Sequence, residues 1–336
     1  MRAMVLEAPG RPLRLVDRPD PQPGNGEVVL RVLACGVCRT DLHVVDGDLP
    51  VRKACVAPGH EVVGRVERLG AGVSGLTTGD RVGVPWLAWT CGECRWCRSG
   101  AENLCDRAEF TGWSRDGGYA DRIVADARFC IPIPEAYGDA EAAPLLCAGL
   151  IGFRAWRKAC EARPVTRLGL YGFGAAAHLL AQLAIAEGQA VYAFTSPGDE
   201  AAAQLALRLG CRWAGPSTAR PPDRLDAAII FAPVGALAPL ALEAVDKGGT
   251  VVCAGIHMSD IPAFPYALLW EERRLLSVAN LTRADGLDYF PRALAAGVRA
   301  EVRTYDLADA NTALGDLREG RIVGAAVLAM DAAETA

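Results

Sequence analysis

A glycine-rich turn between an apolar and an alanine-rich segment restricts the possible folds of this chain more than any other motif. The apolar residues 168–171 run into Gly172-Phe173-Gly174-Ala175-Ala176-Ala177, a G-x-G-x-x-A pattern. In a βαβ unit the first glycine allows a tight turn and the second lets the backbone approach a pyrophosphate. A small third residue lets the helix pack closely on the strand. The pattern is weak in isolation, so its meaning depends on the elements around it.

Those elements alternate regularly between strands and helices. Short apolar runs predict strands at Arg167–Tyr171, Ala190–Thr195, Ala227–Ala232 and Thr250–Ala254. Ala/Leu-rich segments between them predict helices at Ala175–Glu187, Glu200–Leu209 and Ala236–Val245. This rhythm predicts an α/β fold with a doubly wound, parallel Rossmann sheet.

The first part of the chain differs in composition and in predicted secondary structure. Residues 1–148 are rich in Gly, Pro and Val, with strands predicted at Glu27–Ala34, Glu61–Leu69 and Asp80–Pro85. From about Arg283 the tail has a predicted helix and a predicted strand, Ala325–Met330, which could return to the first domain. We therefore expect a β-rich domain of residues 1–148 and 284–336, and a Rossmann domain of residues 149–283. A length of 336 residues suits two domains of ~100–200 residues each.

Composition excludes several classes of protein. Hydrophobic residues make up 51% and charged residues 22%, as in an ordinary globular protein. The net charge of −5 argues against nucleic acid as a partner, because phosphate binding needs a basic surface. We see neither a signal peptide nor an apolar stretch of membrane-spanning length, so we expect a cytoplasmic protein without a membrane partner.

The most specific motif is a group of four cysteines, Cys91, Cys94, Cys97 and Cys105. Four thiolates at C-x2-C-x2-C-x7-C spacing can surround one zinc tetrahedrally, and such a closed site is structural. The alternative, that these are four unrelated buried cysteines, does not account for so regular a spacing. An iron–sulfur cluster is the weaker rival.

A second group of metal-ligand residues is spread along the chain. Cys38 opens the run Cys38-Arg39-Thr40-Asp41-Leu42-His43, His60 lies between Gly59 and Glu61, and Cys147 precedes Ala148-Gly149. Two thiolates and one imidazole form the donor set of a catalytic zinc with one open position. By spacing alone, Cys147 suits a buried core residue equally well.

The end of the second predicted Rossmann strand leaves the cofactor open. An acidic residue there would hydrogen-bond a free ribose 2′-hydroxyl, whereas a nearby Arg would accommodate a 2′-phosphate. This chain has Thr195 and Ser196 instead, followed by Asp199 and Glu200. Both NAD and NADP remain candidates.

Together these motifs resemble the zinc-dependent alcohol dehydrogenases of the medium-chain dehydrogenase/reductase superfamily, along essentially the whole chain. The resemblance implies a GroES-like catalytic domain beside the Rossmann domain. It implies two zinc ions per subunit, one catalytic at Cys38, His60 and Cys147 and one structural at the four cysteines. It implies a small-molecule alcohol or aldehyde as substrate and a homo-oligomer, either a dimer or a tetramer.

The resemblance also implies roles for single residues. Asp41 would orient His60, and Glu61 would lie next to the metal as an alternate ligand. Thr40 would accept the substrate proton and pass it through the ribose hydroxyls to His43 and then to water. Arg39 would contact the cofactor pyrophosphate.

Other expected contacts with the cofactor and the substrate lie in several segments. The cofactor residues are Arg39, Gly172, Phe173, Gly174, Ala175, Ala176, Thr195, Ser196, Ala254, Gly255 and Ile256. Trp86 and Leu49 would line a pocket for small to medium primary alcohols. Secondary alcohols are a further candidate class of substrate. Ala177 in place of the usual glycine and Ala325 in place of an arginine depart from the family pattern.

Three rival functions differ in testable ways. A polyol dehydrogenase of the same superfamily commonly lacks the four cysteines and uses a carboxylate as third zinc ligand. A non-catalytic zinc-binding structural protein would have lost a ligand or the proton path. A zinc-ribbon protein that binds nucleic acid would need a basic surface.

Overall fold

The structure is a computed structural model that describes residues 1–330, and its chain contacts divide it into two compact units. Unit 1 consists of residues 1–147, 280–290 and 299 onward, and unit 2 of residues 148–279 and 291–298. The β-rich texture and the strand–helix alternation of the sequence correspond to these two units, so the predicted fold class is confirmed.

Unit 1 is built mainly from antiparallel strands and short helices. Before residue 148 its strands are β1 Arg2–Val5, β2 Arg14–Asp17, β3 Glu27–Val37, β4 Val62–Leu69, β5 Arg81–Val84, β6 Leu87–Trp89, β7 Glu109–Phe110, β8 Arg122–Asp126 and β9 Ile131–Pro132. Its helices there are α1 Arg39–Asp46, α2 Arg95–Arg98 and α3 Asp139–Ala142. β3 is the central strand, and its buried residues pack into the main apolar core of the unit.

Unit 2 has one six-stranded parallel sheet with helices between its strands. The strands are β10 Arg167–Tyr171, β11 Ala190–Thr195, β12 Trp213–Pro216, β13 Leu225–Ile230, β14 Val245–Cys253 and β15 Arg274–Ser277. The helices are α4 Ala148–Cys160, α5 Ala175–Ala186, α6 Glu200–Arg208 and α7 Leu237–Ala244. Every neighbouring pair is parallel, and the order β12-β11-β10-β13-β14-β15 reverses direction between β10 and β13. This is the doubly wound order with a switch point at the carboxyl ends of β10 and β13.

Apart from residues 291–298, the described tail from residue 283 lies in unit 1. Its elements are α8 Arg283–Ala295, β16 Val302–Asp306, α9 Ala310–Arg318 and β17 Ala325–Ala329. β17 pairs antiparallel with β3, which places it within the large sheet of unit 1. Among residues 1–330, no helix combines the length and the apolar character needed to cross a bilayer.

The end of α8 departs from the expected domain limits. Residues 291–298, which we expected in the first domain, cluster with unit 2. Ala293 and Val298 are fully buried there, and Arg292 pairs with Glu187 of the same unit at 3.2 Å. The short, alanine-rich sequence of this segment did not show which unit would bury it.

Candidate functional site

The first helix is shaped by the residues around Cys38. Cys38 occupies the N-cap of α1, and its Sγ accepts a hydrogen bond from the Thr40 backbone N at 3.5 Å. In return, Oδ2 of Asp41 accepts one from the Cys38 backbone N at 2.9 Å. This reciprocal capping satisfies backbone donors that a helix start leaves open. The hydrogen bonds between residues 38 and 41 therefore fix the start of α1 and the position of Cys38.

Asp41 also holds the segment that carries His60. Its Oδ1 accepts hydrogen bonds from the Gly59 backbone N at 3.1 Å and from Nδ1 of His60 at 3.0 Å. Gly59 has a φ of +96°, and a Cβ there would overlap the ring of Tyr119. Gly59 thus lets the chain turn so that the His60 imidazole meets Asp41.

Four ligand-type side chains converge beside this pair. Cys38, His60, Glu61 and Cys147 place one ligand atom each within 4.8 Å of one another. The Sγ atoms of Cys38 and Cys147 are 3.9 Å apart, and two sulfurs at ~2.3 Å from one tetrahedral zinc would stand about 3.8 Å apart. Nε2 of His60 is buried and has no hydrogen-bond partner among residues 1–330. The donor set therefore fits a zinc ion.

The ionisable side chains of this buried cluster shift one another's pKa values. The hydrogen bond from the Cys147 thiol lowers the pKa of Cys38 well below its usual value. Burial opposes protonation of His60, but the Asp41 carboxylate outweighs burial and raises the pKa of His60. Burial, and after it the charge of Cys38, raises the pKa of Glu61.

Glu61 fits beside the thiolates because Gly36 has no side chain. A Cβ on Gly36 would overlap Oε2 of Glu61, and both residues are buried. Gly36 lies on β3 two residues before Cys38, so the end of this strand leads into the first ligand residue and leaves the space that Glu61 fills. Sequence reasoning did not assign a function to Gly36.

The four-cysteine loop forms a second, separate cluster. The sulfurs of Cys91, Cys94, Cys97 and Cys105 lie within 4.8 Å of one another, and three of the separations are 3.6–3.9 Å. These values match the ~3.8 Å sulfur spacing of a tetrahedral zinc site.

The cysteines of this loop differ in how readily they ionise: burial, and after it the hydrogen bond with Cys94, raises the pKa of Cys97 to about 11, whereas donors near Cys91 favour its thiolate. The Glu93 backbone N–H, and after it the Arg107 guanidinium, lower the pKa of the Cys91 thiol to about 6. A thiolate is the form that binds a metal. No carboxylate joins the four sulfurs in the described part of the chain, so the site is closed.

The expected proton carriers both lie on α1. Thr40 is buried near its start, and His43 is partly exposed one turn later. Residues three apart lie on the same side of a helix. Arg39 is the exposed first residue of α1. Nδ1 of His43 lies 2.8 Å from Oδ2 of Asp48, a partner that sequence reasoning missed.

Trp86 belongs to an aromatic cluster beside His60. The Trp86 and His60 rings meet edge to face, with centroids 5.0 Å apart. Phe110 and Trp113 stack on Trp86 at 5.2 and 5.7 Å. Leu49 packs against the same core. Phe110 and Trp113 were missed, although two aromatic residues around Gly112, shortly after the cysteine loop, were a usable signal.

The glycine turn of unit 2 lies at the carboxyl end of β10. Gly172 has a φ of +86°, and a Cβ there would come within 2.8 Å of the Ala232 backbone N. Gly174 is the exposed N-cap of α5, and Ala175 and Ala176 are partly exposed in its first turn. The Phe173 side chain is buried, so only its backbone can meet a ligand.

The other expected cofactor residues lie at the same edge of the sheet. Thr195 ends β11, and Ala254, Gly255 and Ile256 directly follow β14, which runs parallel to β10. Thr195 is buried, and its hydroxyl donates to the Gly215 carbonyl at 3.5 Å. Ser196 is exposed.

The two acidic residues after β11 begin the next helix. Asp199 caps α6 by accepting a hydrogen bond from the Ala202 backbone N, and Glu200 is the first residue of α6. One oxygen of Asp199 is therefore engaged by the helix.

Comparison with known proteins agrees with this architecture. Residues 24–135 match the alcohol dehydrogenase GroES-like domain. A probable alcohol dehydrogenase, AdhA, of Mycobacterium tuberculosis strain CDC 1551 is 48% identical, over 98% of this chain and 97% of its own.

Two solved structures share the whole fold. The cobalt- and zinc-bound thermostable alcohol dehydrogenase of Pyrobaculum aerophilum has a TM-score of 0.87 and 28% identity, over 98% of this chain and 99% of its own. Acetophenone reductase of Geotrichum candidum in complex with NAD has a TM-score of 0.87 and 29% identity, over 98% of this chain and 96% of its own. By full-length similarity in both sequence and fold, the chain belongs to the zinc-dependent alcohol dehydrogenases of the medium-chain dehydrogenase/reductase superfamily.

Proposed function

We propose that this enzyme reversibly oxidises small to medium primary alcohols to aldehydes, and secondary alcohols to ketones, by hydride transfer to NAD or NADP. The observation that carries the proposal is the convergence of Cys38, His60 and Cys147 beside the helix that bears Thr40 and His43. Alcohol oxidation requires metal ligands and proton carriers that lie close together in the folded chain.

Cys38, His60 and Cys147 would hold the catalytic zinc, with Glu61 as an alternate ligand. A zinc ion bound there supplies a Lewis acid that polarises the hydroxyl oxygen of the alcohol. Asp41 keeps the proton on Nδ1 of His60, which leaves Nε2 for the metal. Cys91, Cys94, Cys97 and Cys105 would hold the structural zinc.

The chain's own residues would remove the substrate proton. Thr40 would accept it from the hydroxyl group, and His43 would release it to water. The buried position of Thr40 and the partial exposure of His43 suit an inner and an outer carrier.

Unit 2 would bind the nicotinamide cofactor at the carboxyl edge of its sheet, and unit 1 would carry the catalytic chemistry. The turn of residues 172–176, Ser196 and the segment 254–256 follow the carboxyl ends of β10, β11 and β14, and a cofactor of a doubly wound sheet would bind at this edge. Arg39 would offer a charge to the pyrophosphate. Because the Thr195 hydroxyl bonds the Gly215 carbonyl, Thr195 would support the end of β11 and would not contact the cofactor through its side chain.

Trp86 and Leu49 would bound the alkyl part of the substrate, and Phe110 and Trp113 would support Trp86 from behind. A wall of aromatic and apolar groups favours alkyl and aryl chains over polyols. Such a wall discriminates only modestly between neighbouring homologues.

A homo-oligomer is the assembly that we propose. β15 is the last strand of the unit 2 sheet, and among residues 1–330 it pairs on one side only. Tyr266 and Trp270, just before it, are 67% and 60% exposed. Light scattering on the full chain will give its mass in solution, and a monomer at micromolar concentration would contradict the proposal.

The decisive experiment combines activity with metal analysis. A panel of alcohols and aldehydes is assayed with NAD and with NADP, and zinc is measured on the same sample. Cys38→Ser should lose turnover and retain the fold, whereas Cys55→Ser, at an exposed thiol outside both clusters, should behave as the wild type. Full activity in Cys38→Ser, or no dehydrogenase activity with any substrate, would overturn the proposal.

A further inference from the structure

The segment that follows α1 folds back onto the helix at His43. The helix ends at Gly47, whose φ of +85° reverses the chain. The Leu49 backbone N then donates to the His43 carbonyl at 3.3 Å, and Oδ2 of Asp48 lies 2.8 Å from Nδ1 of His43. The turn after the helix thus bonds His43 twice, through Leu49 at its backbone carbonyl and through Asp48 at its ring.

The same segment is held from its other side by the aromatic cluster. Nε1 of Trp113 donates a hydrogen bond to the Pro50 carbonyl at 2.9 Å. The Arg52 guanidinium lies 4.3 Å from the centre of a Trp113 ring, within cation–π range. Asp48 is therefore fixed in place by contacts on both flanks, even though it lies at the surface.

A contribution to folding stability does not explain why the Asp48 carboxylate is held against His43. Asp48 is 49% exposed and His43 is 21% exposed, and an exposed ion pair contributes little to folding. Orientation explains it better, because a carboxylate that accepts from one imidazole nitrogen selects the tautomer and the direction of the ring.

We propose that Asp48 is a positioning residue for His43, holding the proton on Nδ1 so that Nε2 accepts the proton that leaves the active site. The inference rests on the proposed function. One proton leaves the hydroxyl oxygen of the alcohol, passes from Thr40 towards Nε2 of His43, and is released from Nε2 to water. The bond from Nδ1 to hydrogen is retained throughout, and the hydride leaves separately with its electron pair to the nicotinamide.

The tautomer is measured directly by nitrogen NMR. The chain has only 4 histidines, so His43 is assigned by comparison with His43→Ala. Spectra of all the proteins are taken at the same mildly alkaline pH. We expect Nδ1–H to dominate at His43 in the wild type and to lose that dominance in Asp48→Ala. Asp46→Asn is the matched control, because it removes a carboxylate two residues away that pairs with Arg318 instead.

Kinetics test the consequence for the proton path. Asp48→Ala should lower kcat at least about tenfold with little change in KM for the alcohol, by analogy with partners that orient other histidines. Added imidazole should restore part of the loss, Asp48→Glu should retain most of kcat, and Asp46→Asn should match the wild type. In a His43→Ala background, Asp48→Ala should cost nothing further.

The outcomes separate this inference from the proposed function. An active wild type with an unchanged His43 tautomer and unchanged kcat in Asp48→Ala would overturn the role of Asp48. So would a full additional loss in the His43→Ala background. An inactive wild type would overturn the proposed function, while the NMR comparison would still decide whether Asp48 sets the tautomer.

Discussion

Oδ1 of Asp41 lies 3.0 Å from Nδ1 of His60, and each of the two side chains is only 1% exposed. The same carboxylate caps α1 through its other oxygen, at the Cys38 backbone N. One buried acid thus orients two of the proposed zinc ligands. A partner of this kind fixes the imidazole tautomer and increases its affinity for a metal.

Asp41→Asn should therefore weaken zinc binding at Cys38, His60 and Cys147. The amide has one acceptor oxygen, so its NH2 group must face either the Cys38 N–H or the His60 N–H. We expect the affinity to fall about 10–100-fold, measured by competition with a chromophoric chelator. The four-cysteine cluster is the internal control, because its affinity should not change. Equal affinities in mutant and wild type at both sites would contradict the role of Asp41.

Cys94→Ala should remove one zinc per chain and lower the melting temperature by several degrees. Three remaining sulfurs cannot close the site, and the energy of binding a structural zinc is folding energy. Cys55→Ser, outside both clusters, should leave the zinc content and the melting temperature unchanged. An unaltered melting temperature with full zinc content would count against a structural site.

Gly36→Ala should destabilise the protein, because the new methyl group overlaps the buried Glu61 carboxyl. Overpacking of this kind costs about 1–3 kcal/mol. Gly315→Ala is a control of opposite sign: it lies inside α9 with nothing within 4 Å of the new Cβ. There the substitution should stabilise by roughly 0.5–1 kcal/mol. Urea unfolding of both variants measures the difference, and a harmless Gly36→Ala would show that Glu61 moves freely.

Preference between the two cofactors should be modest. Neither an acidic nor a basic residue ends β11, and the Thr195 hydroxyl is directed to the Gly215 carbonyl. One neutral hydrogen bond, worth about 1 kcal/mol, changes a ratio of rates by less than tenfold. The ratio of kcat/KM for NAD and NADP measures this, and a thousandfold preference would show that charged residues elsewhere decide the choice.

The sequence predicted the elements of unit 2 far better than the side-chain contacts of unit 1. β10 and β11 have the predicted bounds because apolar runs between turns leave few alternatives. β14 begins five residues earlier than predicted, since Val245 already pairs with Leu225. The two glycines within Val245–Cys253 concealed this extension.

Contacts between distant segments could not be derived from spacing. Cys147 meets Cys38 across 109 residues, and only the family resemblance brought them together in advance. Trp113 reaches both Trp86 and Pro50 because of the path of the loop between β7 and β8, which no periodic pattern encodes. Cytoplasmic location remains a prediction.

Asp226 should make the stability of unit 2 depend on pH. Its carboxylate is 9% exposed and accepts hydrogen bonds from the Thr166 backbone N and Oγ1 and from the Arg167 backbone N, at 2.7–2.9 Å. Burial disfavours its charge, but these bonds outweigh burial and lower the pKa of Asp226. A carboxyl group with a lowered folded-state pKa stabilises the fold above its unfolded value of ~3.9 and loses that contribution as the pH falls further.

Asp226→Asn should thus cost about 1.5–3 kcal/mol of unfolding free energy at pH 7, the range for hydrogen bonds to a charged group. Below pH ~3.9 the difference in unfolding free energy between variant and wild type should become smaller, because protonation of Asp226 in the wild type removes the same charge. Urea unfolding at pH 7 and at pH ~3 measures both values. Asp260→Asn, at an exposed residue of the same unit, should cost little at either pH. A gap of constant size would mean that the shape of the Asp226 side chain, and not its charge, stabilises the start of β10.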